Sequence, residues 1–108
     1  MIKQIIQYET LEGRCPFREW LLSFKDLKIR SRIRARIDRL LLGSFGDTKV
    51  VGEGVFELRY HFGPGYRVYF GIYQNQFVIL LSGGDKNTQE KDIYRAQQYF
   101  QDYLRRNQ

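Results

Sequence analysis

Two arginines lie on either side of a short glycine–proline turn, with a spacing that suits the binding of phosphate. Arg59 precedes the turn Gly63–Gly65 and Arg67 follows it. If the flanking segments pair as antiparallel strands, the alternation of side chains places both arginines on one face of the hairpin. Guanidinium groups match phosphate well, because each presents parallel N–H donors to the phosphate oxygens. The pattern therefore predicts that Arg59 and Arg67 close on one phosphate.

A sheet must hold these arginines, and the stretch Val55–Lys86 predicts three consecutive strands. Apolar and polar residues alternate in the first two runs, whereas the third, Phe77–Ser82, is almost entirely apolar and typical of a central strand. The pair Gln74-Asn75 indicates the second tight turn. We expect one packed sheet face and one open face, on which arginines lie among exposed tyrosines such as Tyr69 and Tyr73.

The rest of the chain predicts one strand and two helices before this sheet region, and one helix after it. Pro16 suits the first turn of a helix, and Gly43 suits the position just after one. The expected bounds are a strand over 2–8, helices over 16–24 and 27–42, an irregular connection over 44–54 and a last helix from 87 or 88 to about 105. The order is β-α-α-β-β-β-α, in a single domain spanning 1–108.

Composition favours a polyanionic partner and argues against a metal site or a membrane span. Eighteen Lys and Arg against twelve Asp and Glu give a net charge of +6, and aromatic residues make up 16% of the chain, more than one core needs. Cys15 is the single cysteine, and no Cys/His cluster has metal-ligand spacing, so we predict no metal and no cofactor. No apolar run is long enough for a membrane span, which predicts a soluble, cytoplasmic protein without membrane contact.

The second predicted helix carries a dense set of positive charges around its apolar stripe. A solvated helix face explains this pattern, and electrostatic attraction to phosphates is a second explanation compatible with the first. The cationic residues are Lys28, Arg30, Arg32, Arg34, Arg36 and Arg39.

Several motifs occur together in the second half of the chain. They are ELR at Glu57–Arg59, GPGYRVYF at Gly63–Phe70 and GGDK at Gly83–Lys86, followed by Asp92-Ile93. The combination resembles the phage-derived Gp49-like, HigB-type branch of the RelE/ParE toxin superfamily, from the PFREWL helix start to the last helix. The resemblance implies an α+β, RelE-like fold, in which a twisted, mostly antiparallel sheet has two N-terminal helices packed on one face. It also implies a toxin of a type II toxin–antitoxin module.

The resemblance also assigns roles to residues near the turn. RelE-like members cut mRNA on the ribosome with basic side chains, and the matching positions here are Arg59, Arg67 and Lys86. Such residues suffice for metal-independent cleavage, since the RNA 2′-hydroxyl attacks the adjacent phosphate once a base takes its proton. Arg67 would stabilise the phosphorane charge, and Lys86 or Arg59 would assist proton transfer. A structural ion pair between Arg67 and Glu57 is the alternative.

The remaining candidates would contact the substrate or move a proton. Tyr69 would stack on or orient a base, and Glu57, His61 and Lys49 complete the set of substrate-binding residues. The tyrosine that RelE places in its last segment has no counterpart here, and Asp92 lies at about that place. Asp92 is therefore a possible general base, or else a helix N-terminal charge favoured by the helix dipole. His61 is a secondary candidate for the base.

The implied partners are mRNA, the ribosome and a cognate antitoxin, expected to be a small helix-turn-helix protein. Three other functions remain open. ParE-like members of the superfamily inhibit DNA gyrase, which would not require Arg59, Arg67 and Lys86 to converge. A non-catalytic nucleic-acid-binding module would keep the basic face without turnover, and a degenerate toxin would be harmless to the cell.

Overall fold

The computed structural model describes all 108 residues, from Met1 to Gln108. It has three α-helices and five β-strands. In chain order they are β1 (Gln4–Gln7), α1 (Pro16–Leu22), α2 (Leu27–Asp38), β2 (Thr48–Val50), β3 (Val55–Arg59), β4 (Arg67–Tyr73), β5 (Phe77–Gly84) and α3 (Gln89–Arg106). The protein therefore belongs to the α+β class.

The five strands form one mixed sheet in the order β1-β5-β4-β3-β2. The first strand is parallel to β5, and all other neighbouring strands are antiparallel. Gly63 and Gly65 have φ angles of 61° and 76° at the β3–β4 turn, and Gln74 and Asn75 have φ angles of 54° and 57° at the β4–β5 turn. These left-handed conformations suit tight hairpin turns, which explains the glycine and asparagine there.

Helices cover both faces of the sheet. On one face α1 and α2 pack against alternate residues of β3, β4 and β5. The buried members of this cluster are Phe17, Leu21, Ile33, Ile37, Leu40, Leu58, Tyr60, Val68, Phe70, Val78 and Leu80. On the other face α3 packs over a second cluster, formed by Tyr8, Val55, Tyr69, Ile79, Leu81, Ala96 and Phe100.

A close approach of α3 to the sheet depends on Gly71 in β4. A Cβ atom at this position would lie 2.5 Å from the ring of Phe100, closer than two carbon atoms can approach. The bare backbone of Gly71 therefore lets the helix settle directly on the strands.

The structure corrects the prediction of an open sheet face. The residues that alternate with the first core cluster lie beneath α3, because this helix is amphipathic and buries its own apolar side against them. Tyr69 is consequently 0% exposed, and Tyr73 is half-buried with its hydroxyl bonded to the backbone of Asn107. Alternation identifies residues that share a face, but it does not reveal whether another element covers that face.

Three local predictions also need correction. The connection 44–54 contains the short strand β2, where an irregular segment was expected. The second helix ends at Asp38 and continues as a 3₁₀ turn to Leu42, after which Gly43 has a φ of 78°. The last helix begins at Gln89 and not at 87 or 88, because residues 86–88 form a short 3₁₀ turn. Asp85 caps this turn by accepting a hydrogen bond from the Asn87 backbone N–H at 2.8 Å.

None of the helices combines the length and the apolar composition that spanning a bilayer requires.

Candidate functional site

The two arginines beside the GPG turn are direct cross-strand partners. Arg59 ends β3 and Arg67 begins β4, and their Cα atoms are paired in the antiparallel register. Like charges in such a pair repel each other and destabilise the hairpin, unless other groups compensate. Both side chains lie on the same sheet face because the two residues are cross-strand partners. Each arginine also has its own carboxylate partner.

Asp47, in the loop before β2, holds Arg59. The Arg59 Nη2 atom lies 3.1 Å from Asp47 Oδ1, and the backbone N–H of Arg59 donates to the Asp47 carbonyl at 2.9 Å. His61 Nε2 lies 2.6 Å from the other carboxylate oxygen, Oδ2. Hydrogen bonds from Arg59 and then from His61 lower the pKa of Asp47, so the carboxylate stays ionised. Asp47 thus orients an arginine and a histidine at once.

Arg67 is held from the interior by Glu57. The Arg67 Nε atom lies 3.5 Å from Glu57 Oε2, and the Arg67 Nη1 atom donates to the Gly65 carbonyl at 3.1 Å. Glu57 is 0% exposed, and the same oxygen accepts the Tyr69 hydroxyl at 3.2 Å and the Gln89 amide at 2.8 Å. The ion pair considered from sequence is therefore present, although Arg67 Nε forms no hydrogen bond within it.

Lys86 lies beside the same turn, on the segment that joins β5 to α3. Its backbone N–H donates to the Pro64 carbonyl at 3.4 Å, and its side chain is exposed. A Cβ atom on Gly65 would lie 3.5 Å both from the Lys86 Cβ and from Arg67 Nη1. The glycine of the turn therefore lies between the lysine and the second arginine.

An open cleft of about 360 Å³ lies along this turn. We call it the hairpin cleft; its lining residues are Arg59, Tyr60, His61, Phe62, Gly63, Gly65 and Arg67. Two guanidinium groups provide donors to an anion here. The arrangement suits a phosphate group, which accepts several such bonds at once.

Tyr69 and Glu57 were predicted to contact substrate, and their burial contradicts this. Both side chains are 0% exposed, because α3 covers the sheet face that carries them. Burial also raises the pKa of the Tyr69 hydroxyl, which acts as a donor to the carboxylate of Glu57. The two residues support Arg67 from behind and cannot stack on or bind an incoming ligand.

Lys49 is exposed but lies outside the hairpin cleft. It is the cross-strand partner of Glu57 on the edge strand β2. The lysine adds positive charge to this side of the molecule, and its side chain forms no ion pair or hydrogen bond.

Asp92 lies in the first turn of α3, over Gly84, the cross-strand partner of Arg67. Its carboxylate accepts the Thr88 hydroxyl and rests on Gly84, where a Cβ atom would come within 1.8 Å of Asp92 Oδ2. Burial raises the pKa of Asp92, and no ion pair joins it to an arginine of the hairpin cleft. It lines a separate cleft of about 290 Å³ with Ser82.

His61 is exposed at the mouth of the hairpin cleft and bonded to Asp47. A carboxylate on one nitrogen leaves the other ring nitrogen available to a ligand. Of the two candidates for the general base, His61 and Asp92, only His61 lines the cleft that carries Arg59 and Arg67.

Sequence reasoning did not identify Asp47 or Gln89. Asp47 becomes the partner of Arg59 only through the pairing of β2 with β3, and that three-residue strand gives no clear pattern. Gln89 reaches Glu57 across 32 positions of sequence because α3 folds over the sheet.

Comparisons with known proteins give two matches. The sequence model of the family described as "Phage derived protein Gp49-like (DUF891)" matches residues 19–101. A protein of Haemophilus influenzae (strain ATCC 51907 / DSM 11121 / KW20 / Rd), described as "Uncharacterized protein", is 52% identical over 80 residues. That alignment covers 74% of this chain and 81% of the other. The family match includes Arg59, Arg67 and Lys86.

Proposed function

This chain belongs to the phage-derived Gp49-like family, and on that premise we propose that it is a type II toxin that cleaves mRNA on the ribosome. The Gp49-like family is associated with toxins of toxin–antitoxin modules. A RelE-like fold is part of the proposal. The sheet with α1 and α2 on one face supports this fold, and β2 is an addition to the expected order.

The observation that carries the proposal is the cross-strand pair of Arg59 and Arg67 beside Lys86. A protein gains no stability from placing two like charges opposite each other, and here two carboxylates are needed to hold them. A bound anion would favour this arrangement, because it would interact with both guanidinium groups at once. A phosphodiester of RNA is such an anion.

The positions of these cations support cleavage of RNA by its own 2′-hydroxyl. The 2′-oxygen of the substrate attacks the adjacent phosphorus as a base takes its proton, the bond from phosphorus to the 5′-oxygen breaks, and an acid protonates that oxygen. In this proposal Arg67 and Arg59 stabilise the negative charge on the phosphorane, and His61 is placed to accept the proton. Lys86 is the candidate for protonating the leaving oxygen.

The proposed partners are the ribosome with its mRNA, and an antitoxin that neutralises the site. A basic cleft is complementary to an acidic segment, so we expect the antitoxin, a small helix-turn-helix protein, to cover the hairpin cleft with acidic residues. The antitoxin and the substrate would then compete for the same arginines.

Induction in bacteria tests the proposal against its alternatives. The proposal expects translation to stop and mRNA to acquire new 5′ ends soon after induction, while DNA supercoiling stays normal. Arg59→Gln removes one cation at a partly exposed position, so the variant is expected to fold and to lose on the order of 10²-fold in cleavage. Intact mRNA with altered supercoiling would instead indicate a gyrase inhibitor. Normal growth despite abundant folded protein would indicate a degenerate toxin.

A further inference from the structure

A second cleft of about 360 Å³ lies between α2 and the β3–β4 hairpin. We call it the helix cleft; it is lined by Arg32, Ala35, Arg36, Arg39, Tyr60, His61 and Phe62. The three arginines follow one another at spacings of four and three residues, so they project from one side of the helix. The guanidinium groups of Arg32 and Arg36 face the aromatic rings of Phe62 and Tyr60, in the segment between β3 and the GPG turn.

The charges of this cleft are not neutralised within the protein. The ion pairs of the structure hold Arg59 and Arg67 with Asp47 and Glu57, but none includes the three arginines of the helix cleft. Three positive charges on one side of a helix repel one another, and an anion between them would relieve this repulsion.

Two of these arginines are already held in position by aromatic rings. The Arg32 guanidinium carbon lies 3.7 Å from the centroid of the Phe62 ring, and that of Arg36 lies 5.0 Å from the Tyr60 ring. Arg36 also donates through Nη1 to the Arg59 carbonyl, and its buried Nη2 atom has no partner. Stacking fixes the planes of these groups, so little conformational freedom is lost when they bind an anion.

The helix cleft and the hairpin cleft share a wall. Tyr60, His61 and Phe62 line both of them, and Arg36 bonds directly to the backbone of Arg59. A polyanionic strand that enters the hairpin cleft can therefore continue past His61 to Arg32 and Arg39. The carboxylate beside this path, Asp47, is already paired with Arg59 and His61.

We propose that the helix cleft binds neighbouring phosphates of the same single-stranded RNA that is cut at the hairpin cleft. This inference rests on the proposed function for the identity of the strand, but its test measures binding alone. A repeating backbone of phosphates fits a row of arginines spaced along a helix, and such contacts position the strand without selecting its sequence. Arg32 and Arg39 carry the contacts, and Arg36 positions the cleft against β3.

The test compares two double variants, in α2 and the 3₁₀ turn that continues it, that remove the same charge. Arg32→Gln/Arg39→Gln empties the helix cleft of two cations, whereas Lys28→Gln/Arg34→Gln removes two exposed cations that do not line it. Binding is measured over a range of salt concentrations with 2′-O-methyl RNA, which lacks the attacking hydroxyl and stays intact. The probes are a dinucleotide, whose single phosphodiester occupies only one cleft, and a strand of about twelve nucleotides, which reaches both clefts.

We expect Arg32→Gln/Arg39→Gln to weaken binding of the longer strand by on the order of tenfold relative to Lys28→Gln/Arg34→Gln. The slope of log affinity against log salt should fall by about 1.4, the value for two lost contacts to a single strand. Equal affinities of the two double variants for the longer strand would overturn the inference. An equal loss with the shorter strand would also overturn it, because that loss would be a general charge effect.

The same proteins separate this inference from the proposed nuclease. If unmodified mRNA on ribosomes stays intact with the wild type while the length-dependent loss persists, the cleft binds RNA and the nuclease proposal fails. If mRNA is cut and the longer strand binds both double variants equally, the nuclease stands and the second phosphate site fails.

Discussion

The Arg67–Glu57 pair joins the stability of the sheet to the proposed chemistry. The Arg67 side chain is 12% exposed and that of Glu57 is 0% exposed, so neither charge is well solvated. Removing the cation from such a buried pair is strongly destabilising, because it leaves the carboxylate charge uncompensated in the interior. Arg67 is therefore both the cation that faces the cleft and the counterion that Glu57 needs.

We predict that Arg67→Ala lowers the free energy of unfolding by about 3 kcal/mol, because it leaves Glu57 buried and unpaired. Adding Glu57→Gln should restore most of this loss, since a neutral amide oxygen still accepts from Tyr69 and Gln89. Urea denaturation of both variants measures the stability, and the rate of mRNA cleavage measures the function. If Arg67→Ala/Glu57→Gln is stable and cleaves mRNA at the wild-type rate, the role of Arg67 is structural and not catalytic.

Much at the residue scale follows from the printed sequence, and some does not. The alternation around the GPG turn is enough to place Arg59 and Arg67 side by side, and the register confirms that placement. The same alternation predicts an exposed Tyr69, which is wrong, because a period of two cannot distinguish a face open to solvent from one covered by a helix. The sequence does not predict Asp47 as the partner of Arg59, because that contact depends on β2, a strand too short to show a period.

At the scale of elements, α3 determines which side of the sheet remains accessible. The helix covers Tyr69 and Glu57 and brings Gln89 onto the carboxylate, while the hairpin cleft remains open. Its first turn rests on the bare backbone of Gly84, opposite Arg67 in the sheet. The sequence predicted this helix through its amphipathic period and the polar residues that precede it, but not the face on which it packs.

Asp92 gives a test of how tightly the first turn of α3 is packed. Burial raises the pKa of its carboxyl group above the unfolded value, so the folded state prefers the protonated form. The contribution of Asp92 to the free energy of unfolding is therefore fully present below the unfolded pKa, and it is lost as pH rises through the folded pKa. We predict that Asp92→Asn stabilises the protein at neutral pH, and that this gain disappears in acid.

Urea denaturation of the wild type and Asp92→Asn at about pH 3 and about pH 7 measures this difference. The opposite trend, with the wild type favoured more at neutral pH, would mean that the helix dipole stabilises the charge of Asp92 more than burial penalises it.

At the scale of the whole molecule, the net charge of +6 has a definite distribution. The helix cleft and the hairpin cleft adjoin each other through residues 60–62, and Lys86 lies beside the turn. The composition already indicated a polyanionic partner, but it did not show that arginines from a helix and from a hairpin border one continuous surface. That surface exists because α2 contacts residues 59–62, which are distant from it in sequence: Arg36 donates to the Arg59 carbonyl, and the Tyr60 hydroxyl donates to the Ile33 carbonyl.

The most direct test of the central claim is the chemical identity of the RNA ends at the cut sites. Ribosomes carrying mRNA are incubated with the purified protein, and the termini of both fragments are determined. Attack by the 2′-hydroxyl predicts a 2′,3′-cyclic phosphate on the upstream fragment and a 5′-hydroxyl on the downstream one, with no cutting by Arg67→Ala/Glu57→Gln. A 5′-phosphate on the downstream fragment would contradict the account, because it requires water as the nucleophile.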